Sequence, residues 1–290
     1  MITARPYDSV ASFDQACLPF LEKVETLIPR LYTDHLGVPT WGIGFALVVQ
    51  SGGSWMVRPD LKVVFEKAGI VFTLEQSRKL DELVNGCARG LNEKNPEAAF
   101  ALIPTWRAGE APDTNPTGLP LLSQEQAYAL LKTNLPDYAA MLKGRFKTHL
   151  GEAAAEELST ALAGSHEAVA LLSLTYNAPS LIGPGLTKAL YQGDRAEAWF
   201  QIRYFSNGSK NAGLAKRRFY EAHQLGVLPE GTRAEAQGFQ AMLARRASKI
   251  DPYERDFANQ IDAANRDYDL SADPIETLAQ IVAKANNLST

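Results

Sequence analysis

Only two cysteines, Cys17 and Cys87, occur in the 290 residues. That is too few for a disulfide framework, and neither has the spacing of a zinc site. Both are expected as buried thiols, because free cysteine behaves as a small hydrophobe. Long apolar runs are missing too: nowhere do about 18 apolar residues follow one another, so no membrane span is expected. The opening "MITARPYDSVASFDQACLPF" lacks the unbroken apolar stretch of a secretory leader, and synthesis in the cytoplasm is expected. Nor is there a basic excess. A net charge of -4 with a pI near 5.7 argues against a nucleic-acid partner. What remains is an ordinary globular composition, 46% hydrophobic and 21% charged, able to build one large domain or two small ones.

Hydrophobic period and turn residues divide the chain. A helix is expected over about Ser12 to Ile28, capped by "SFDQ", with Pro19 either kinking it or marking its first turn and Pro29 ending it close after Glu25. From Arg30 to Val49, short β-like runs surround the turn residues of "TDHLGVP", so a small hairpin or sheet is expected. Residues 50–120 read as an insertion or lid, with one helix in "TLEQSRKLDELVNGCARGLNE" and a loop in "RAGEAPDTNPTGLP". Helices follow from Ser123 onward, and "AVALLSLTY", apolar nearly all round, is expected as the central buried helix of an α-rich domain. Past Val227, three capped helices are expected, starting at Thr232, Asp251 and Asp273. Lys216, Arg217, Arg218, Arg245, Arg246 and Lys249, mixed with acids, read as a solvated helical face.

The chemistry concentrates in "VETLIPRLYTDHLGVPTWGIG", Val24 to Gly44. An inverting glycosidase needs two carboxyl groups about 6.5–9.5 Å apart, one to protonate the leaving oxygen and one to activate water. Glu25 at a helix end and Asp34 on a turn are candidates, one nearer apolar residues and one wetter. Thr40 adds a hydroxyl able to hold the water, and Gly42 and Gly44 would let a sugar approach the backbone. On these residues alone, a capping Glu, a turn Asp, a strand Thr and turn glycines are an equally open reading.

The pattern E-x8-D-x5-T-x-G-I-G, with Tyr32 two before the Asp, resembles the catalytic signature of the phage-type lysozymes, glycoside hydrolase family 24. Two later blocks resemble that family in the same order: "LSQEQAYALL" and "ALLSLTYNAPSLIGPGLTKALYQGD" continuing to "AGLAKRRFYEAHQLG". The resemblance implies an α+β, predominantly helical, lysozyme-like fold with a small hairpin lobe, a larger helical lobe and a cleft between them. It covers residues 12–226, the catalytic domain with its insertion at about 50–120, and leaves residues 227–290 as a helical extension. It implies Glu25 as general acid, Asp34 as the carboxylate assisting water, Thr40 as water holder, and Tyr176 and Asn177 as sugar contacts. Arg217 and Arg218 are expected to close the last helix rather than touch substrate. Thr26 stands where the family has glycine, a change expected to be tolerated on a helix.

The implied activity is cleavage of the β-1,4 bond between N-acetylmuramic acid and N-acetylglucosamine in peptidoglycan, with no metal or cofactor. Its alternatives are a lytic transglycosylase, which would need only the acid, and a lysozyme fold that binds glycan or a partner without cutting. Endolysin, virion lysozyme and secreted effector all fit, each reaching the wall through a holin, a virion or a secretion system. The insertion and the C-terminal helices are candidate docking sites for a delivery, tail or immunity-type protein.

Overall fold

The computed structural model describes residues 1–106, 110, 111, 114–208 and 211–290. It is an α+β protein, predominantly helical, with little β-structure. The chain forms two compact units, residues 18–136 and residues 1–17 together with 137–290, and the divisions fall inside helices α1 (Val10–Glu25) and α5 (Gln124–Leu150).

Helix α1 starts earlier than its sequence suggests. The Ser9 hydroxyl accepts the Ser12 N–H at 3.1 Å, so Ser9 rather than Ser12 opens the helix, and Pro19 lies in its interior. The helix ends at Glu25 because Thr26 turns into the left-handed region at φ 68°. A β-branched residue is strained there, so Thr26 is not the helical residue expected from the sequence. Three strands follow, β1 (Ile28–Thr33), β2 (Pro39–Gly42) and β3 (Phe45–Ala46), paired antiparallel in that order.

Residues 50–120, expected as an insertion or lid, carry regular structure. Strands β4 (Val48–Ser51) and β5 (Ser54–Val57) form a second sheet, followed by α2 (Leu61–Lys67), α3 (Leu74–Asn92) and α4 (Pro96–Leu102). Thr73 and Gln76 form a reciprocal capping box at the start of α3. The apolar center of this unit gathers Trp41, Phe45, Phe65 and Phe72, with Trp41 and Phe65 edge to face at 5.9 Å. Of the loop expected in "RAGEAPDTNPTGLP", residues 107–109, 112 and 113 lie outside the described residues; Asn115 closes a turn by donating to the Leu119 carbonyl at 2.5 Å.

The other unit is built around α7 (His166–Asn177), buried from Glu167 to Thr175, as its apolar sequence requires. It also holds α6 (Glu152–Leu162), α8 (Pro184–Gln192), α9 (Arg195–Phe200) continuing into a π-helical turn (Gln201–Phe205), and α10 (Ala212–Leu225). The segment after Val227 belongs to the same unit and contains α11 (Arg233–Phe257), α12 (Asn259–Asp267) and α13 (Leu278–Ser289).

Both "DP" helix starts expected there are overruled. Helix α11 runs through Asp251 and Pro252, at the loss of one backbone bond to the carbonyl of the exposed Ser248, which water can satisfy. Burial of Ile250 and Tyr253 on either side holds the helix together. After Asp273 and Pro274 the chain stays extended because Asn265 accepts the Ile275 N–H at 2.8 Å, and α13 begins only at a Thr277–Gln280 capping box.

The solvated face read from the sequence holds for Arg245 and Lys249, which are exposed, and fails for Arg217 and Arg218. Arg217 and Arg218 are buried, Arg245 and Arg246 converge on Glu197 at 2.9 and 2.6 Å, and Lys216 pairs with Asp267 at 2.9 Å. Both cysteines are buried and free. Among the described residues no helix is long and apolar enough to cross a membrane.

Candidate active site

Glu25, Asp34 and Thr40 all lie in the unit of residues 18–136. Glu25 is the last residue of α1 and is half-buried. Only Thr26 and Leu27 separate it from β1, because the left-handed Thr26 reverses the chain and Pro29 keeps Ile28 extended.

Asp34 follows β1 directly and organizes the turn to β2. Its Oδ1 accepts the N–H groups of Leu36 at 2.9 Å and Val38 at 2.8 Å, while its own N–H donates to the Val38 carbonyl at 3.0 Å. Short acidic side chains favor this local capping. All of that load falls on one oxygen. Oδ2 makes no hydrogen bond among the described residues.

Thr40 sits on β2 directly opposite Tyr32 of β1. It is buried, and its hydroxyl donates to the Val38 carbonyl at 3.0 Å. With its proton committed, the Thr40 oxygen faces any further partner as an acceptor. The Trp41 indole N–H reaches the Pro29 carbonyl at 2.7 Å and ties β2 to β1, and Pro29 also receives the Leu122 N–H at 2.8 Å. Gly42 has φ 66°, and a Cβ there would lie 3.3 Å from Leu122 and 3.4 Å from Ala127. The glycine is thus required by the turn and by interior packing, rather than by an approaching sugar.

Tyr32 lies on β1, between the two acids in sequence. Burial first, and then the charges of Glu25 and Asp34, push its hydroxyl well above the ordinary value. The sequence contained Tyr32 only as part of a spacing pattern, with nothing to mark this electrostatic position. A second group was not legible at all. Glu22, one turn before Glu25, accepts from Tyr128 at 2.5 Å and from Gln124 at 2.9 Å, pairing residues about a hundred positions apart. Burial, and then that contact, hold the Tyr128 phenol far above its usual range.

Tyr176 and Asn177 lie in the other unit, at the end of α7. The Tyr176 ring is 4.4 Å from that of Tyr138, and Asn177 is exposed, its side-chain oxygen accepting from Arg218. The arginine pair does internal work, as expected: Arg217 and Arg218 both bind the fully buried Glu221, and Arg217 also donates to the Ser173 carbonyl at 2.7 Å. Among the described residues no group of three or more His, Cys, Asp or Glu side chains could hold a metal ion. No family model, no curated protein and no solved structure matches this chain.

Proposed function

We propose that the chain is a peptidoglycan hydrolase, a muramidase of lysozyme-like fold that cuts the β-1,4 bond between N-acetylmuramic acid and N-acetylglucosamine. The observation that carries this reading is that Glu25 at the end of α1, Asp34 in the turn after β1 and Thr40 on β2 lie in one unit, with Asp34 Oδ2 unused by that turn. Two acids on different elements are what an inverting hydrolysis needs.

In this mechanism Glu25 donates its proton to the glycosidic oxygen as the bond to the anomeric carbon breaks. A water held on the opposite face gives one hydrogen bond to Thr40 Oγ1, whose own proton is on Val38. Its other hydrogen goes to Asp34 Oδ2, the oxygen the turn does not use. As the water oxygen bonds to the anomeric carbon, Asp34 takes that proton, and exchange with solvent returns Asp34 and Glu25 to their starting states. Asp34 also faces the positive charge that develops on the sugar ring. Tyr176 and Asn177 are proposed as glycan contacts, through a ring beside Tyr138 and an amide nitrogen left over after Asn177 accepts from Arg218.

Glu25→Gln tests the reading. Loss of the proton donor should slow lysis of purified sacculi by about 10²–10⁴-fold, while circular dichroism and melting stay as in the parent. Lysis at the parental rate would remove Glu25 from the mechanism. Product mass separates the rival enzyme: hydrolysis leaves reducing ends, whereas anhydro ends, one water lighter, would mark a transglycosylase. Glycan binding with no new ends would mark a binding protein.

A further inference from the structure

The hairpin of β4 and β5 is closed by Gly52 and Gly53, both at positive φ, with Ser51 opposite Ser54. A two-residue turn makes the flanking pair hydrogen-bonded, and such pairs alternate along an antiparallel ladder. Trp55, opposite Gln50, therefore turns its N–H and carbonyl away from β4. Asn92 on α3 meets both: its Oδ1 accepts the Trp55 N–H at 2.6 Å and its Nδ2 donates to the Trp55 carbonyl at 2.8 Å. One amide thus completes the strand edge and fixes the tryptophan against the helix.

The ring that this clamp holds is not part of the core. Trp55 is half-exposed, it stacks on no other aromatic side chain, and its indole N–H has no partner among the described residues. It lines an open groove of about 510 Å³ between the hairpin and α3. On the helical side stand Asn85, Arg89 and Glu93, four residues apart and so on one face, over about 12 Å of helix. All three are exposed. Asn85 donates to the Asp81 carbonyl at 2.7 Å; among the described residues its oxygen has no partner, and Arg89 and Glu93 form no ion pair.

We propose that this groove is a second glycan-binding site, outside the catalytic residues, for a carboxylate-bearing chain of N-acetylated hexosamines. The inference deepens the muramidase reading and rests on it for the identity of the polymer. A pyranose ring offers an apolar C–H face to an aromatic plane and a rim of hydroxyl and acetamido groups to hydrogen-bonding side chains. The groove supplies Trp55 for the face and Asn85, Glu93 and the indole N–H for the rim. Arg89, a cation with no ion pair among the described residues, suits the lactyl carboxylate of a muramic acid that carries no stem peptide. An open trough with its polar groups in a line suits a strand that extends beyond it at both ends, which a closed pocket would exclude. The site would keep the enzyme on the wall between cuts.

The test uses the full chain carrying Glu25→Gln, so that binding is read without turnover, in a pelleting assay with purified sacculi stripped of peptide. Adding Trp55→Ala should raise the dissociation constant about tenfold, the loss of a buried aromatic anchor. Arg89→Ala, an exposed change that leaves the core alone, should raise it several-fold. The pentamer of N-acetylglucosamine, which lacks the carboxylate, should bind with the same sensitivity to Trp55→Ala and none to Arg89→Ala. If both variants hold sacculi within about twofold of their parent, the groove is not a glycan site. That result is separate from the lysis assay, in which a fully active Glu25→Gln protein would overturn the muramidase reading whatever the groove binds.

Discussion

Replacing Glu221 by Gln tests whether the interior of the second unit is held by charge. Glu221 lies on α10 with no exposed surface, and its carboxylate takes Arg217 at 2.9 Å, the Ser173 hydroxyl at 2.6 Å, and Arg218 at close range. Glutamine has the same shape but no charge, and its NH₂ would meet guanidinium donors. Two buried cations would then lose the anion they share. Removing one partner of a buried ion pair costs about 3–5 kcal/mol, or two to nearly four powers of ten in the folding equilibrium. With a urea slope of about 3 kcal/mol/M, the midpoint should fall by about 1–1.7 M, followed by fluorescence with the buried Trp199 reporting on this unit.

The pH dependence has a defined sign. Burial pushes the Glu221 carboxyl up, but Arg218, Arg217 and Ser173 outweigh it and hold the group below its ordinary value of 4.5. Its contribution is complete above that value and fades as pH falls through the lower, folded one. The gap between parent and variant should thus be widest near neutrality and shrink in acid. A loss of under about 1 kcal/mol, or a gap that does not change with pH, would refute the account of a dry, coupled charge cluster.

Two further predictions concern the candidate active site. Thr26→Gly should raise the melting temperature by about 1–3 °C, because relief of a left-handed β-branched residue outweighs the entropy that glycine adds; a lower melting point would show the turn to be unstrained. Asp34→Asn should keep the Leu36 and Val38 bonds through its side-chain oxygen and retain near-parental stability while losing lysis. Asp34→Ala should lose lysis and also about 1–2 kcal/mol; equal stability of the two variants would remove Asp34 from its role in the turn.

Local order was readable wherever a local cause acted. Ser123 and Gln126 cap α5 reciprocally, as their spacing suggests, and Ser165 caps α7. The hairpin around "TDHLGVP" forms because Asp34 can satisfy its own turn. The same capping logic misplaced the starts at Asp251 and Asp273, since an "Asp-Pro" pair signals a helix start only if no neighbor offers a better partner. Asn265 offers one to Ile275, and the buried flank around Ile250 carries α11 straight through. Arg217 and Arg218 read as surface charge because the anion that buries them, Glu221, is recognizable as their partner only once Ser173 closes over it from α7.

By itself the sequence determined what neighboring residues settle among themselves: the capped starts at Ser123 and Thr232, which helix is apolar all round, and the nine- and six-residue spacing of Glu25, Asp34 and Thr40. Tertiary structure alone decided which charges are shared and which oxygen of a residue is spent. It left Asp34 Oδ2 uncommitted and clamped Trp55 by Asn92. The physical reason is range: caps and turns act within a few residues, whereas burial and Coulomb energy depend on distances that only the folded chain defines.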